Sequence, residues 1–174
     1  MGIFRRPYGG ASRQAAGRAD PFALPEALAA LLARVHGDDA LARFEIPADY
    51  ARFLRRSGGG GLRAAPGRDG RAVPYGRRVH RWPQVLAATT GMYEALLPVE
   101  DDHVPEDERE DALNSVQKVG VWLEIGSHGD RHLHFLCCDR SRAAFGQVHD
   151  ANDGDPTTGL VPDRVWESFR AYLR

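Results

Sequence analysis

The chain has 174 residues, 43% hydrophobic content and a formal net charge of −1, which fits one domain with a sizeable core and gives no global pull toward nucleic acid or an anionic membrane. No apolar run is long enough to span a bilayer, and the opening MGIFRRPYGG lacks the apolar core of a secretory signal, so we expect a cytoplasmic protein with no membrane partner. Cys137 and Cys138 are the only cysteines; being adjacent, they face opposite sides of a strand, which argues against a disulfide framework and for a reducing compartment.

Residues 1–20 are rich in Gly, Ala and Arg without a sustained apolar period, and read as a flexible arm ahead of a single domain over residues 21–174. Pro25 is placed to open a helix whose Leu24, Leu28, Leu31, Leu32 and Val35 trace one face, with Gly37 closing it. Leu41 and Phe44 lead through a spacer into IPADYARFLRRSGGGG, residues 46–61. Here Pro47 suits a first helical position and Asp49 favours the positive end of the helix. Tyr50, Phe53 and Leu54 fall at i, i+3 and i+4 as one apolar stripe, and Arg52, Arg55 and Arg56 occupy the remainder. Gly58 and Gly59 begin a run too costly in backbone entropy to continue the helix.

Residues 62–81 read as loop with one or two edge strands, near Ala72-Val73 and Val79. From Arg52 to Arg81 there are nine arginines against one acid, Asp69; guanidinium groups there suit phosphate or a carboxylate-rich surface, or simply solvate a loop in a chain that has one lysine. Without a recognisable motif or stacking aromatics, no direct nucleic-acid partner is expected. Trp82, Val85, Leu86, Thr89, Met92, Tyr93, Leu96 and Leu97 recur at three and four, predicting an amphipathic helix over 83–97 that Pro98 ends. Eight of the 24 acids then lie between positions 100 and 111: Glu100, Asp101, Asp102, Glu106, Asp107, Glu108, Glu110 and Asp111. Mutual repulsion and Pro105 make this an exposed loop, and its sign suits a basic partner.

From Lys118 the period becomes two. Val119, Val121, Leu123 and Ile125 share one face and Gly120, Trp122 and Glu124 the other, a half-buried strand. Residues 126–130 read as the turn, and residues 131–139 as its antiparallel partner, with Leu133, Phe135 and Cys137 opposite His132, His134, Leu136 and Cys138. Residues 145–149 make a third strand. Asp163 is placed to cap a closing helix with Val165, Trp166, Phe169, Tyr172 and Leu173 on its apolar face. The expected fold class is α+β, an antiparallel meander packed against N-terminal, central and C-terminal helices.

Two sets of residues resemble the SUKH superfamily of bacterial immunity proteins (Smi/Knr type). The first is Ile46-Pro47, Asp49-Tyr50, Phe53-Leu54 and Gly58-Gly59. The second is Ile125-Gly126, Gly129-Asp130, the apolar strand ending at Asp139, Gly146-Gln147-Val148 and Ser168-Phe169. The resemblance runs from Pro25 to Arg174 and departs between 62 and 117. It implies structural roles for Pro47, Tyr50, Phe53, Leu54, Gly58, Gly59, Gly129, Asp130, Gly146 and Phe169. It also implies a non-catalytic protein that binds and occludes a cognate toxin domain. If that toxin is a nuclease, the acids at 100–111 are the expected phosphate mimic, an assignment made from charge alone. The alternative is a regulatory or scaffold adaptor of the same fold, binding through a groove on the sheet.

No catalytic set emerges from the sequence. His132 and His134 share a strand face near His128, as two metal ligands could, but a third such as His149 or Cys138 would be needed. Turn and strand polarity account for these histidines without a metal. The acidic run at 150–155 has its Gly misplaced for a calcium loop, and Ser57 to Gly61 lacks the Lys of a phosphate loop. No metal, cofactor or enzymatic activity is expected.

Overall fold

A computed structural model describes residues 21–57, 78–97, 120–128, 132–152 and 164–174. Its helices are α1 (Glu26–His36), α2 (Ala40–Arg43), α3 (Ala48–Ser57), α4 (Trp82–Leu96) and α5 (Phe169–Tyr172). Its strands are β1 (Arg78–Val79), β2 (Trp122–His128), β3 (His132–Cys137), β4 (Val148–Asn152) and β5 (Arg164–Trp166). The strands form one sheet in the order β1-β2-β3-β4-β5, every neighbouring pair antiparallel. The chain is therefore an α+β protein with an open five-stranded antiparallel sheet.

Helices α1, α3 and α4 form where periodicity and breakers place them, whereas α2 occupies a segment read from sequence as a spacer. In α1, Leu28, Leu31, Leu32 and Val35 are buried, and Gly37 turns the chain at φ +84°, a conformation that costs glycine little. In α3, Tyr50 and Leu54 are buried and Phe53 is half-buried, while the Pro47 carbonyl accepts the Ala51 N–H at 2.9 Å. Asp49 does more than favour the helix N-terminus. Its Oδ1 accepts the Tyr50 N–H and its Oδ2 the Arg170 N–H, each at 2.8 Å, tying α3 to α5.

Helix α4 lies against β2 for a backbone reason. Strand β1 pairs only with Gly126 and Ser127, so the edge of β2 from Trp122 to Glu124 needs other partners. Two α4 side chains supply them. Tyr93 Oη accepts the Trp122 N–H at 2.9 Å and donates to the Trp122 carbonyl at 3.2 Å, and Thr89 Oγ1 accepts the Glu124 N–H at 3.1 Å. Tyr93 is thus a core residue that also finishes a sheet edge.

Four strand-level expectations are corrected. The β2–β3 pairing continues through 126–128, read from sequence as turn, because a bulge at Ile125 resets the register: Glu124 faces Phe135, and Gly126 then faces His134. Gly126 is a strand residue whose missing Cβ admits the Arg78 carbonyl of β1. Strand β2 is buried on both faces, not one, with Trp122 packed with Phe135 and Cys137 and Leu123 with Leu136. The fourth strand of the sheet is Val148–Asn152, while Phe145 and Gly146 sit in the preceding turn. The closing segment starts as β5, which pairs with β4, and only then becomes α5; its cap is Ser168, whose Oγ accepts the Ala171 N–H at 3.1 Å, in place of Asp163. Backbone pairing with the β4 edge overrides the helical period of Val165 and Trp166.

The cysteines do lie on opposite faces, Cys137 with Trp122 and Cys138 with Leu136. Burial pushes the Cys137 thiol up to about 11 and the Cys138 thiol well above its ordinary value, which suits packing rather than thiolate chemistry. Among the described residues, no helix is long and apolar enough to cross a membrane.

Candidate functional site

Two constellations stand out, at opposite ends of the sheet face that α3 and α5 cover. The first is the corner where residues of both motif sets meet. The Tyr50 ring lies 4.6 Å and the Phe53 ring 5.1 Å from that of Phe169, and Leu54, Leu136 and Val148 fill in around them. Position 146 has φ +83°, which suits glycine, and a side chain there would meet the Pro47 ring only at ordinary van der Waals distance. Pro47, Tyr50, Phe53, Leu54, Gly146 and Phe169 are separated by up to 122 positions in sequence and converge here. Gly58, Gly59, Gly129 and Asp130 lie outside the described residues, as do all eight acids at 100–111.

Next to that corner Asp139, fully buried, organises the segment after β3. Phe44 and Asp139 form an isolated antiparallel bridge. Asp139 Oδ1 accepts the Ser141 N–H at 3.0 Å and the Ser141 hydroxyl at 2.6 Å, while Oδ2 faces Arg43 Nε at 3.5 Å and Arg142 Nε at 3.8 Å. Burial alone would push this carboxyl up; the Ser141 hydrogen bonds and the Arg43 and Arg142 charges outweigh it and hold the pKa below the usual value. Behind it, burial first, then the Arg43 and Arg142 charges, lower His36 to about 4 against the pull of Asp139. A neutral His36 results, packed edge-on to Tyr93 at 5.3 Å.

The second constellation lies where β2, β3 and β4 reach the other end of the same face. His134 and Asp150 are cross-strand partners, as are His128 and His132. His128 Nδ1 lies 3.0 Å from His134 Nε2, and the far nitrogen of that ring, Nδ1, is hydrogen-bonded to Tyr172 Oη at 2.8 Å. His132 Nδ1 is hydrogen-bonded to Asp150 Oδ1 at 3.0 Å, and His128 Nδ1 lies 3.8 Å from Asp150 Oδ2. The His128 ring stacks on those of His132 (4.2 Å) and His134 (5.2 Å). His134 and Asp150 are buried, whereas the His128 and His132 side chains are 29% and 33% exposed, so the cluster opens to solvent on one side. Its donor atoms could pass a proton or grip a cation.

Sequence alternation placed His132 and His134 together correctly. It also put His128 near them, and only the further ligands it named were misplaced. His149 is on the opposite face, its ring 4.5 Å from Trp122, and Cys138 belongs to the apolar cluster; Asp150 completes the group instead. The bulge at Ile125 keeps His128 on this face, where strict alternation along β2 would send it to the other, while Asp150, read from sequence as turn, has only its strand register to place it.

One further surface is an open groove of about 510 Å³ between α3 and α5, lined by Phe53, Phe169 and Leu173 and rimmed by Arg52, Arg56 and Arg170. It holds the described start of the arginine-rich segment. Compared with family models, curated proteins and solved structures, the chain matches none.

Proposed function

We propose that this chain is a cytoplasmic SUKH-like immunity protein that binds a cognate bacterial toxin domain one to one and covers its active site without turnover. One observation carries the reading: aromatic residues of the two separated motif sets meet at a single corner, with Phe169 against Tyr50 and Phe53. The five-stranded antiparallel sheet with helices before, between and after its strands is compatible with that fold. The corner is structural in this reading, and the toxin is engaged by the acids at 100–111, whose density of negative charge suits the basic cleft of a nuclease.

The test is co-expression with the toxin domain encoded beside this gene. Rescue of growth and a co-purifying one-to-one complex are expected. Replacing Glu100, Asp101, Asp102 and Glu106 by Lys should slow association and remove its salt dependence. Rescue that survives this change with the salt dependence intact would eliminate the acidic loop as the contact. An adaptor role draws on a different observation, the apolar groove with its arginine rim, which suits an acidic peptide segment. Arg52→Glu together with Arg56→Glu would abolish that binding and leave toxin neutralisation untouched.

A further inference from the structure

We infer that His128, His134 and Asp150 form a binding site for one divalent transition-metal ion, zinc in the first instance, with His132 and Tyr172 as positioning residues. The three offer one ligand atom each, all within 4.8 Å of one another. Bonds of about 2.0–2.1 Å to a tetrahedral zinc set ligand atoms about 3.4 Å apart. The observed His128 Nδ1 to His134 Nε2 distance of 3.0 Å and His128 Nδ1 to Asp150 Oδ2 distance of 3.8 Å bracket that edge. Two imidazoles and a carboxylate are the donors that zinc and its first-row neighbours take; magnesium and calcium prefer oxygen alone.

The surroundings fit coordination as well as the donors do. Binding through His134 Nε2 requires the proton on Nδ1, where Tyr172 Oη lies 2.8 Å away to accept it. Asp150 would use Oδ2 toward the ion while Oδ1 accepts from His132 Nδ1. Each buried ligand is thus oriented from behind by a second side chain, the usual arrangement around protein-bound zinc. All three ligands stand on paired strands, which hold positions better than loops. The bulge at Ile125 is what turns His128 to this face, and bulges commonly re-aim side chains in this way. Access comes from the partly exposed His128 and His132 side, where a fourth position would take water.

The test uses the full chain, stripped with a chelator and titrated with Zn²⁺, and with Co²⁺ as a spectroscopic probe. One equivalent of Zn²⁺ should bind and raise the melting temperature, and Co²⁺ should give the visible d–d absorption of a low-coordinate nitrogen–oxygen site. His128→Ala and Asp150→Asn should each weaken Zn²⁺ at least ten-fold. His132→Ala should weaken it about ten-fold through the orientation of Asp150, and His149→Ala, on the opposite face, should leave it unchanged. If Asp150→Asn fails to fold, the partly exposed His128→Ala decides alone. Absence of saturable Zn²⁺ binding, binding that His128→Ala does not weaken, or preference for Mg²⁺ over Zn²⁺ would each overturn the assignment.

Discussion

One face of the sheet has two ends built on opposite terms. At the first, Leu136 and Val148 meet Tyr50, Leu54 and Phe169 in an apolar corner. At the second, the same strands β3 and β4 carry His134, His132 and Asp150; hydrogen bonds run from Tyr172 through His134 to His128 and from His132 to Asp150, with Asp150 3.8 Å from His128. Burial of apolar area is non-directional and stabilises whatever packs well. A buried polar group costs stability unless it has partners at the right atoms, which makes the polar end a specific arrangement. The difference sets a corner held by apolar burial against a cluster held by specific polar contacts.

Truncation should expose this division most strongly. Phe169→Ala, which empties the contact with Tyr50 and Phe53, is expected to cost about 3–5 kcal/mol in denaturant unfolding. A loss below about 1 kcal/mol would mean that the corner does not hold the fold.

Histidines sharpen the comparison through pH. His36 sits away from the cluster, buried against Tyr93, with both ring nitrogens lacking hydrogen bonds. Its pKa is lowered from 6.5 to about 4, so the unfolded state binds the proton more readily. Stability from this group is complete above pH 6.5 and falls as the pH drops toward 4, by roughly 3 kcal/mol at most. Asp139, also lowered in the folded state, loses its contribution in the same direction at more acidic pH. His36→Leu should flatten the stability profile between pH 6.5 and 4; an unchanged slope would place the titration elsewhere.

Smaller effects follow. Asp139→Ala removes the acceptor of Ser141 and the counter-charge of Arg43 and Arg142, and should cost about 2–3 kcal/mol, read as a drop in denaturant midpoint. His128→Ala, at the partly exposed mouth of the polar cluster, should cost less than about 1 kcal/mol in metal-free protein. A loss as large as that of Phe169→Ala would make the cluster a structural element after all. At the corner, the Tyr50 hydroxyl is buried without a hydrogen-bond partner. Tyr50→Phe should therefore be neutral or stabilising by up to about 1 kcal/mol, measured as a small rise in melting temperature.

Much of this molecule was legible from local pattern. Periods of three and four placed α1, α3 and α4, Gly37 ended α1 as expected, and alternation put Cys137 and Cys138 on opposite faces. The edge strand near Val79 and the meander were also readable. These features depend on neighbours within a few positions, which a sequence displays directly.

What the sequence by itself determined, then, is which segments are amphipathic, where α1, α3 and α4 stop, and which apolar residues can share a core. The tertiary structure alone decided the rest, because long-range backbone pairing has no local signature. The bulge at Ile125 carries β2 on to His128 and turns that ring toward His134. The exposed edge of β4 recruits Arg164–Trp166 as a strand and delays α5 until Ser168 can cap it. Asp150, which reads in sequence as part of an acidic turn, becomes the cross-strand partner of His134 because strand register, unlike periodicity, is set by the partner strand.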